Sequence, residues 1–213
     1  KMDGVLERFR ETVDPARRRL GIQTIGYWTA PGLTNGGTFA YLLGAESQEA
    51  LEAQEKAFSA DPQFKAGFAE NSQKYGKTLD AILSIPLAVD PTATLDLTPA
   101  DKPRAFDLRL YTIAPGKLEA FRDRWRDHAI PIYARHGLKC LGWWVAAKPD
   151  AQGHDQFICL LAAENIEGIQ KAIAEFHADP DWIRAERETE REGKLRLGVT
   201  AHKLLPAAFS QLR

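Results

Sequence analysis

The feature that most limits the fold of this chain of 213 residues is an internal duplication. With a shift of 116 positions, residues 8–28 (RFRETVDPARRRLGIQTIGYW) align with residues 124–144 (RWRDHAIPIYARHGLKCLGWW). A second block, FSADPQF at 58–64, aligns with FHADPDW at 176–182 with a shift of 118. The shift changes in a turn between the blocks, where insertions are tolerated. The sequence therefore predicts two similar units, each of about 100 residues.

The second copy is complete and shows the order of its elements. Residues 106–113 alternate between apolar and polar side chains, as in a strand with two different faces. Leu118, Phe121 and Trp125 then recur at helical spacing, and Gly137 ends the helix. The other predicted elements are strands at 138–147 and 156–163, a helix capped by Asn165, a helix that begins at Asp179-Pro180, and a strand at 195–205. The order β-α-β-β-α-β is the ferredoxin-like split βαβ motif.

The predicted fold class is α+β, with two ferredoxin-like βαββαβ repeats that form a pseudo-two-fold α+β barrel. An antiparallel sheet with helices on one face must bury its other face, and two copies placed back to back achieve this. We divide the chain into a first repeat at 1–86, a linker or extended strap at 87–104, and a second repeat at 105–213. Lys1 aligns with Lys117, so the first repeat lacks the strand that opens the second.

Composition excludes several classes of protein. The 28 basic and 29 acidic residues nearly balance, so nucleic acids are not attracted over long range. No long apolar run predicts a membrane span, and no signal pattern precedes the fold, so we expect a soluble cytoplasmic protein. Cys140 and Cys159 lie in apolar strand segments and are expected to act as core residues, with a disulfide between them as the less favoured alternative.

The strings DLRLYTIAPGKLEAFRDRW, HGLKCLGWW and FHADPDW in the second copy resemble the NIPSNAP family, a branch of the dimeric α+β barrel superfamily. The resemblance covers nearly the whole chain and implies the fold and a tandem barrel. Members of this family look like binding, scaffold or signalling proteins as often as enzymes. The wider superfamily includes cofactor-free monooxygenases, isomerases of small ring compounds and haem-dependent enzymes. Leu51 and Ile169 stand where the family often has an arginine, so no role of that arginine is transferred.

Arg109 and Tyr111 are the first candidates for a ligand site. They share a strand face with Asp107, and we expect the apolar residues of the strand to take the face that the helices cover. Arg109 and Tyr111 would then face the barrel cavity and hold a carboxylate, enolate or phenolate. The alternative is an internal ion pair between Asp107 and Arg109 that closes the end of the barrel.

Three further residues are predicted to line the same cavity. His202 is in phase with Thr200 and Arg196 on the last strand, where it could serve as acid, base or haem ligand, or only as a hydrogen-bonded structural residue. Trp28 and Trp144 occupy matching positions after Tyr27 and Trp143, so one member of each pair faces the helices and the other the cavity. Plain core packing is the alternative for these aromatic pairs.

The remaining histidines are expected to have structural or surface roles, or are assigned no role. His128 is expected to be a core histidine, His136 a helix cap and His154 a loop residue, and His177 is assigned no role. No histidine and cysteine spacing typical of zinc occurs, so no metal site is predicted.

The sequence favours a protein that binds a small hydrophobic or aromatic anionic ligand in its barrel, or one that acts through its surface. A cofactor-free enzyme of the monooxygenase or isomerase type, acting on an enolisable or phenolic small molecule, is the second hypothesis. No cofactor is required, and haem would need a cavity histidine such as His202. Association of two such chains is left open.

Overall fold

The computed structural model describes residues 2–30, 37–78 and 81–213, which divide into two units. Unit 1 comprises Lys1–Ser84 and Leu205–Arg213, and unit 2 comprises Ile85–Leu204. Lys1, whose alignment marks the missing strand, lies outside the described residues. The repeat boundaries at 1–86, 87–104 and 105–213 stay predictions, as does the barrel formed by both repeats.

Unit 1 packs helices on a short hairpin. Its elements are α1 (Met2–Arg8), α2 (Asp14–Arg19), β1 (Gln23–Thr29), β2 (Phe39–Gly44), α3 (Gln48–Ala60) and α4 (Pro62–Tyr75). Strands β1 and β2 are antiparallel, and residues 205–206 pair with β1 on its other edge. Tyr27 on β1 is fully buried against Phe9, and both belong to the apolar core of this unit.

Unit 2 contains a five-stranded antiparallel sheet in the order β7-β4-β6-β5-β3. Its elements are β3 (Leu87–Val89), β4 (Ala105–Ile113), α5 (Leu118–Arg124), α6 (Ile130–Arg135), β5 (Lys139–Ala146), β6 (Gln156–Ala163), α7 (Ile166–Ala178), α8 (Pro180–Thr189) and β7 (Arg196–Pro206), whose last two residues belong to unit 1. The predicted α+β class is confirmed. As predicted, the Asn165 side chain caps α7 and Asp179 caps α8, which begins with Pro180.

The first helix of each repeat continues through its proline. A π-helical turn, Phe9–Val13 in unit 1 and Trp125–Ala129 in unit 2, stands just before Pro15 and Pro131 respectively. Proline has no amide hydrogen and its ring crowds the preceding turn, so the backbone widens there. The helix therefore passes Pro131 with a local change of helix type and continues to Arg135.

The segment between the repeats runs along a sheet edge of unit 2. Leu87–Val89 pairs antiparallel with β5, and the amide of Asp96 donates to the carbonyl of Leu141 at 2.8 Å. Val89 pairs with Trp144 in the same antiparallel way as Pro206 pairs with Trp28. The segment after the first repeat therefore extends the sheet of unit 2, and the end of the second repeat extends the sheet of unit 1.

Candidate functional site

Arg109 lies at the centre of a buried polar network in unit 2. Its Nε donates to Asp107 Oδ2 at 2.9 Å, and its Nη1 donates to the hydroxyl oxygens of Tyr111 and Tyr133, each at 3.0 Å. Lys203 Nζ donates to the other oxygen of Asp107 at 3.0 Å. A buried charge is tolerated only with such partners.

The network lies between the sheet and its own helices. The ring of Tyr111 is 5.2 Å from that of Phe121 and 5.9 Å from that of Trp125, both on the first helix of the repeat. The predicted orientation of Arg109 and Tyr111, away from the helices, is therefore wrong. Both faces of β4 are buried, since Phe106 on one face and Tyr111 on the other are at most 5% exposed, so polarity did not reveal which face the helices cover.

A cavity of about 70 Å³ opens beside this network. It is lined by three arginines, one histidine and a group of aromatic rings, and the arginines are Arg109, Arg124 and Arg196. The rings belong to Tyr111, Phe121, Trp125, Tyr133, Phe176 and Trp182. No carboxylate is among the lining residues in the part of the chain that the structure describes.

Two indole N–H groups in this lining have no acceptor. Trp125 and Trp182 are 3% and 6% exposed, and within residues 2–30, 37–78 and 81–213 neither Nε1 has a hydrogen-bond partner. Leaving a buried donor unsatisfied costs about 1–3 kcal/mol, so native proteins rarely do so without a functional reason or a bound water. The oxygen atoms of a ligand are acceptors that could satisfy such donors.

Charges around the cavity leave a positive surplus. Asp107 is shared between Arg109 and Lys203, so one carboxylate faces two cations. Arg124 is paired with Glu190 at 2.8 Å, and Arg196 only weakly with Glu186 at 4.0 Å. An anionic group is the complement of this surplus.

The hydroxyl groups of Tyr111 and Tyr133 add hydrogen-bond donors to the lining. Burial raises the pKa of Tyr111 to about 12, and it also raises the pKa of Tyr133 well above its usual value. Both hydroxyls therefore stay protonated near neutral pH, while their oxygens accept from Arg109. The lining thus offers many donors for the oxygen atoms of a ligand.

His177 is one of several lining residues to which the sequence analysis gave no site role. It stands in the last turn of α7, with its ring edge-on to Phe176 at 5.3 Å. The residue is exposed as a whole, but partial burial of its ring lowers its pKa, and the positive charges of Arg109 and Arg196 lower it further, which favours the neutral imidazole. The available signal was divergence between the copies, because the first copy has Ser59 at the matching position.

His202 does not share the cavity with Arg109, contrary to the prediction. It pairs with Leu108 across the ladder, whereas Arg109 pairs with Ala201, so His202 and Arg109 lie on opposite faces of the sheet. A bulge where Ile113 pairs with Arg196 shifts the phase of β7, so that Arg196 lines the cavity and His202 does not. The haem hypothesis loses its proposed ligand in this cavity, which is also far too small for a porphyrin.

Neither Trp28 nor Trp144 is among the described residues that line this cavity. Tyr27 and Trp143 are the members of each pair that join the helix-covered cores. A β-carbon added at Gly26 would lie 2.4 Å from the Trp28 ring, and one at Gly142 would lie 3.1 Å from the Trp144 ring. In the Gly-x-Trp pattern, the tryptophan ring therefore packs against the glycine two residues before it, where a side chain would not fit without a shift. A ligand role for these two tryptophans stays a prediction.

The other histidines serve structure or lie at the surface. His136 ends α6, as predicted, and its Nε2 lies 2.8 Å from Asp179 Oδ2. His154 lies in a turn, 3.5 Å from Asp150. His128 is exposed on its helix, so the expectation of a core histidine is wrong. The buried face of that helix is formed by apolar residues such as Trp125 and Ala129 instead.

Unit 1 fills the matching place differently. Arg17, at the position that aligns with Tyr133, donates to the Tyr27 hydroxyl at 3.3 Å. Its guanidinium lies 4.3 Å above the Tyr41 ring and 5.5 Å from that of Phe58. A cation enclosed by rings replaces the donor-lined cavity of unit 2.

In the described residues, no group of three or more His, Cys, Asp or Glu side chains is arranged to hold a metal ion. No helix within 2–30, 37–78 and 81–213 has the length and apolar character needed to cross a membrane. Cys140 and Cys159 are free thiols, and burial raises the pKa of Cys140 to about 12.

Comparison with known proteins gives a family for the second half of the chain. The NIPSNAP family model matches residues 106–211. No curated protein sequence matches the chain. A solved NIPSNAP family protein of unknown function from Agrobacterium tumefaciens is 19% identical, over 55% of this chain and 99% of its own, with a TM-score of 0.43.

Two further structures align along the whole chain. They come from Fusobacterium nucleatum and Lactobacillus acidophilus, and each protein is named only provisionally as a monooxygenase. They are 10% and 12% identical, cover 100% and 98% of this chain and 86% and 89% of their own, and have TM-scores of 0.55 and 0.54. At these identities they share a fold with this chain, which does not establish a shared activity.

Proposed function

The second half of this chain is a NIPSNAP-family domain, residues 106–211, and we propose that it binds a small ligand through an oxyanion in the cavity beside Arg109. The observation that carries this proposal is the pair of buried indole N–H groups of Trp125 and Trp182 in the cavity lining, which have no hydrogen-bond partner among the described residues. A carboxylate or enolate oxygen accepts such bonds, and the positive surplus around Asp107 favours its charge.

The volume of the cavity limits the size of the ligand. At about 70 Å³ it is well below the roughly 150 Å³ of an engineered cavity that admits benzene. A short aliphatic acid, or the head group of a larger molecule, fits better than an enclosed aromatic ring. The proposed ligand is therefore smaller than the hydrophobic or aromatic anion expected from the sequence. Its proposed site is on the helix-covered side of one sheet, and not between two sheets.

A substitution that removes one donor and keeps a ring tests the proposal. Trp182→Phe deletes the indole N–H, and a hydrogen bond to a charged group contributes about 1.5–3 kcal/mol. We expect the affinity for pyruvate or benzoate to fall about tenfold or more. Isothermal titration calorimetry with each acid at millimolar concentration measures this affinity.

Trp143→Phe is the matched control, because Trp143 belongs to the same buried cluster without lining the cavity. It should leave the affinity unchanged within about twofold. If neither acid binds the unaltered protein, or if the two variants lose affinity equally, the proposal is wrong.

A cofactor-free enzyme is the second candidate function. The position of His177 in the cavity lining favours it, because this residue can move a proton.

A further inference from the structure

We propose that His177 is the general base of a proton-transfer reaction in this cavity, in which a small enolisable keto acid exchanges between its keto and enol forms. The proposal rests on the proposed function, because the substrate must first be held by its oxygens. It adds a catalytic residue and a reaction class to that binding site.

The composition of the lining singles out His177. Arginine side chains cannot accept a proton, and an indole N–H only donates. The Tyr111 and Tyr133 oxygens already accept hydrogen bonds from Arg109, and burial keeps both phenols protonated. No carboxylate lines the cavity in the described part of the chain. His177 is then the lining side chain suited to take a proton.

The surroundings of His177 suit this role. Arg109 on β4 and Arg196 on β7 face it with positive charge, and Glu186 on α8 faces it with negative charge. Within the described residues no hydrogen bond of its ring contributes to its pKa, so its nitrogens are available to a substrate. His177 is exposed as a whole residue. Partial burial of its ring and the two arginines still lower its pKa, which keeps the imidazole unprotonated at neutral pH.

The reaction conserves atoms and electrons without a co-reactant. An imidazole nitrogen of His177 takes a proton from the carbon beside the keto group, and the C–H electron pair forms a C=C bond. The π electrons of the keto group move to its oxygen, and the resulting enolate receives hydrogen bonds from indole N–H groups. The proton then passes to the enolate oxygen, or returns to carbon after exchange with water.

Deuterium exchange at the methyl group of pyruvate tests the inference. In D₂O, ¹H NMR follows the loss of the methyl signal above the rate in buffer alone. A positioned base contributes roughly 10²–10⁴-fold, so we expect His177→Gln to lower the protein-catalysed rate at least a hundredfold. His128→Gln, which alters an exposed histidine outside this cavity lining, should leave the rate unchanged.

Calorimetry with pyruvate and benzoate separates the two proposals. His177→Gln should still bind pyruvate within about threefold of the unaltered protein, and its thermal unfolding should report an intact fold. Pyruvate binding without catalysed exchange, or exchange that survives His177→Gln, overturns the role of His177 and leaves the binding site standing. Binding of benzoate but not pyruvate also overturns the inference alone, whereas binding of neither acid overturns the proposed function itself.

The pH dependence of the exchange rate distinguishes a catalytic role of His177 from a purely structural one. The exchange rate of the unaltered protein should rise as the imidazole loses its proton and level off below the pH expected of an ordinary histidine, because the pKa of His177 is lowered. A rate that keeps rising through pH 8 would point to another base and contradict the assignment.

Discussion

At the scale of single residues, the site depends on polar groups that the fold buries without fully pairing them. Arg109 is held by three oxygens, while the indole N–H groups of Trp125 and Trp182 find no acceptor in the described part of the chain. Hydrogen bonds fix the guanidinium before a ligand arrives, so less side-chain freedom is lost on binding. The site is therefore organised in advance for an oxyanion.

Removing Arg109 should also destabilise the fold. Arg109→Met leaves the buried Asp107 with Lys203 as its remaining cation and removes the donor to two phenols. Breaking a buried ion pair typically costs about 3–5 kcal/mol, which urea denaturation should detect as a lower midpoint. Arg126→Met, which removes an arginine from exposed pairs, should change the free energy of unfolding by less than about 1 kcal/mol. Equal effects of the two variants would show that the network of Arg109 contributes no special stability.

At the scale of helices and strands, periodicity predicted the elements well. The strand expected at 156–163 is β6 itself, and the cap residues of α7 and α8 were found from Asn165 and Asp179-Pro180. The site was predicted less well, because a strand pattern gives two faces and does not say which one the helices cover. The bulge that moves His202 out of phase depends on pairing between distant strands, which one sequence does not show.

Contacts between helices α6 and α8 predict how the stability of the protein depends on pH. The hydrogen bond with His136 and the charge of Arg135 lower the pKa of Asp179 to about 2, from an ordinary value of 3.8. A carboxyl whose pKa falls on folding stabilises the protein above about pH 4, and this contribution disappears as the pH falls through about 2. Asp179→Asn should therefore lower the melting temperature at pH 7 and have little effect at pH 2.

Asparagine can still cap α8, so this substitution isolates the charge. Asp101→Asn, at an exposed position between the repeats, should leave the melting temperature unchanged at both pH values. An Asp179→Asn effect of the same size at pH 7 and pH 2 would contradict the assigned pKa.

The same junction occurs in both units, which bears on the duplication. Arg19 pairs with Asp61 at 2.5 Å in unit 1, and Arg135 pairs with Asp179 at 2.7 Å in unit 2. The aligned blocks that first revealed the repeat thus contain residues that make the same contact twice. Such matched contacts support a tandem origin of the two units.

At the scale of the whole molecule, each unit is completed by the end of a sequence repeat from elsewhere in the chain. In unit 1, Ala207 donates its amide to the Tyr27 carbonyl at 2.9 Å, and Leu212 donates to the carbonyl of Ile25 at 3.1 Å. The Ser210 hydroxyl oxygen accepts from the amide of Tyr27 at 2.9 Å. The final residues are therefore part of the fold of unit 1.

Deleting residues 207–213 should loosen unit 1 selectively. The deletion frees the edge of β1 and exposes the core beside Tyr27, while the hydrogen bonds between β4 and β6 are untouched. Hydrogen–deuterium exchange followed by mass spectrometry should show faster exchange in Gln23–Thr29 and unchanged exchange in Gln156–Ala163. Deletion of Arg213 alone is the control. Unchanged protection of Gln23–Thr29 after the longer deletion would show that these contacts do not hold β1.

The central claim is that the cavity beside Arg109 holds the oxyanion of a small ligand, and a crystal structure grown with pyruvate tests it most directly. We expect electron density for pyruvate in this cavity, with an oxygen within hydrogen-bond distance of the Nε1 atom of Trp125 or Trp182. Pyruvate density elsewhere, or a cavity in which protein side chains already satisfy both indoles, would contradict it.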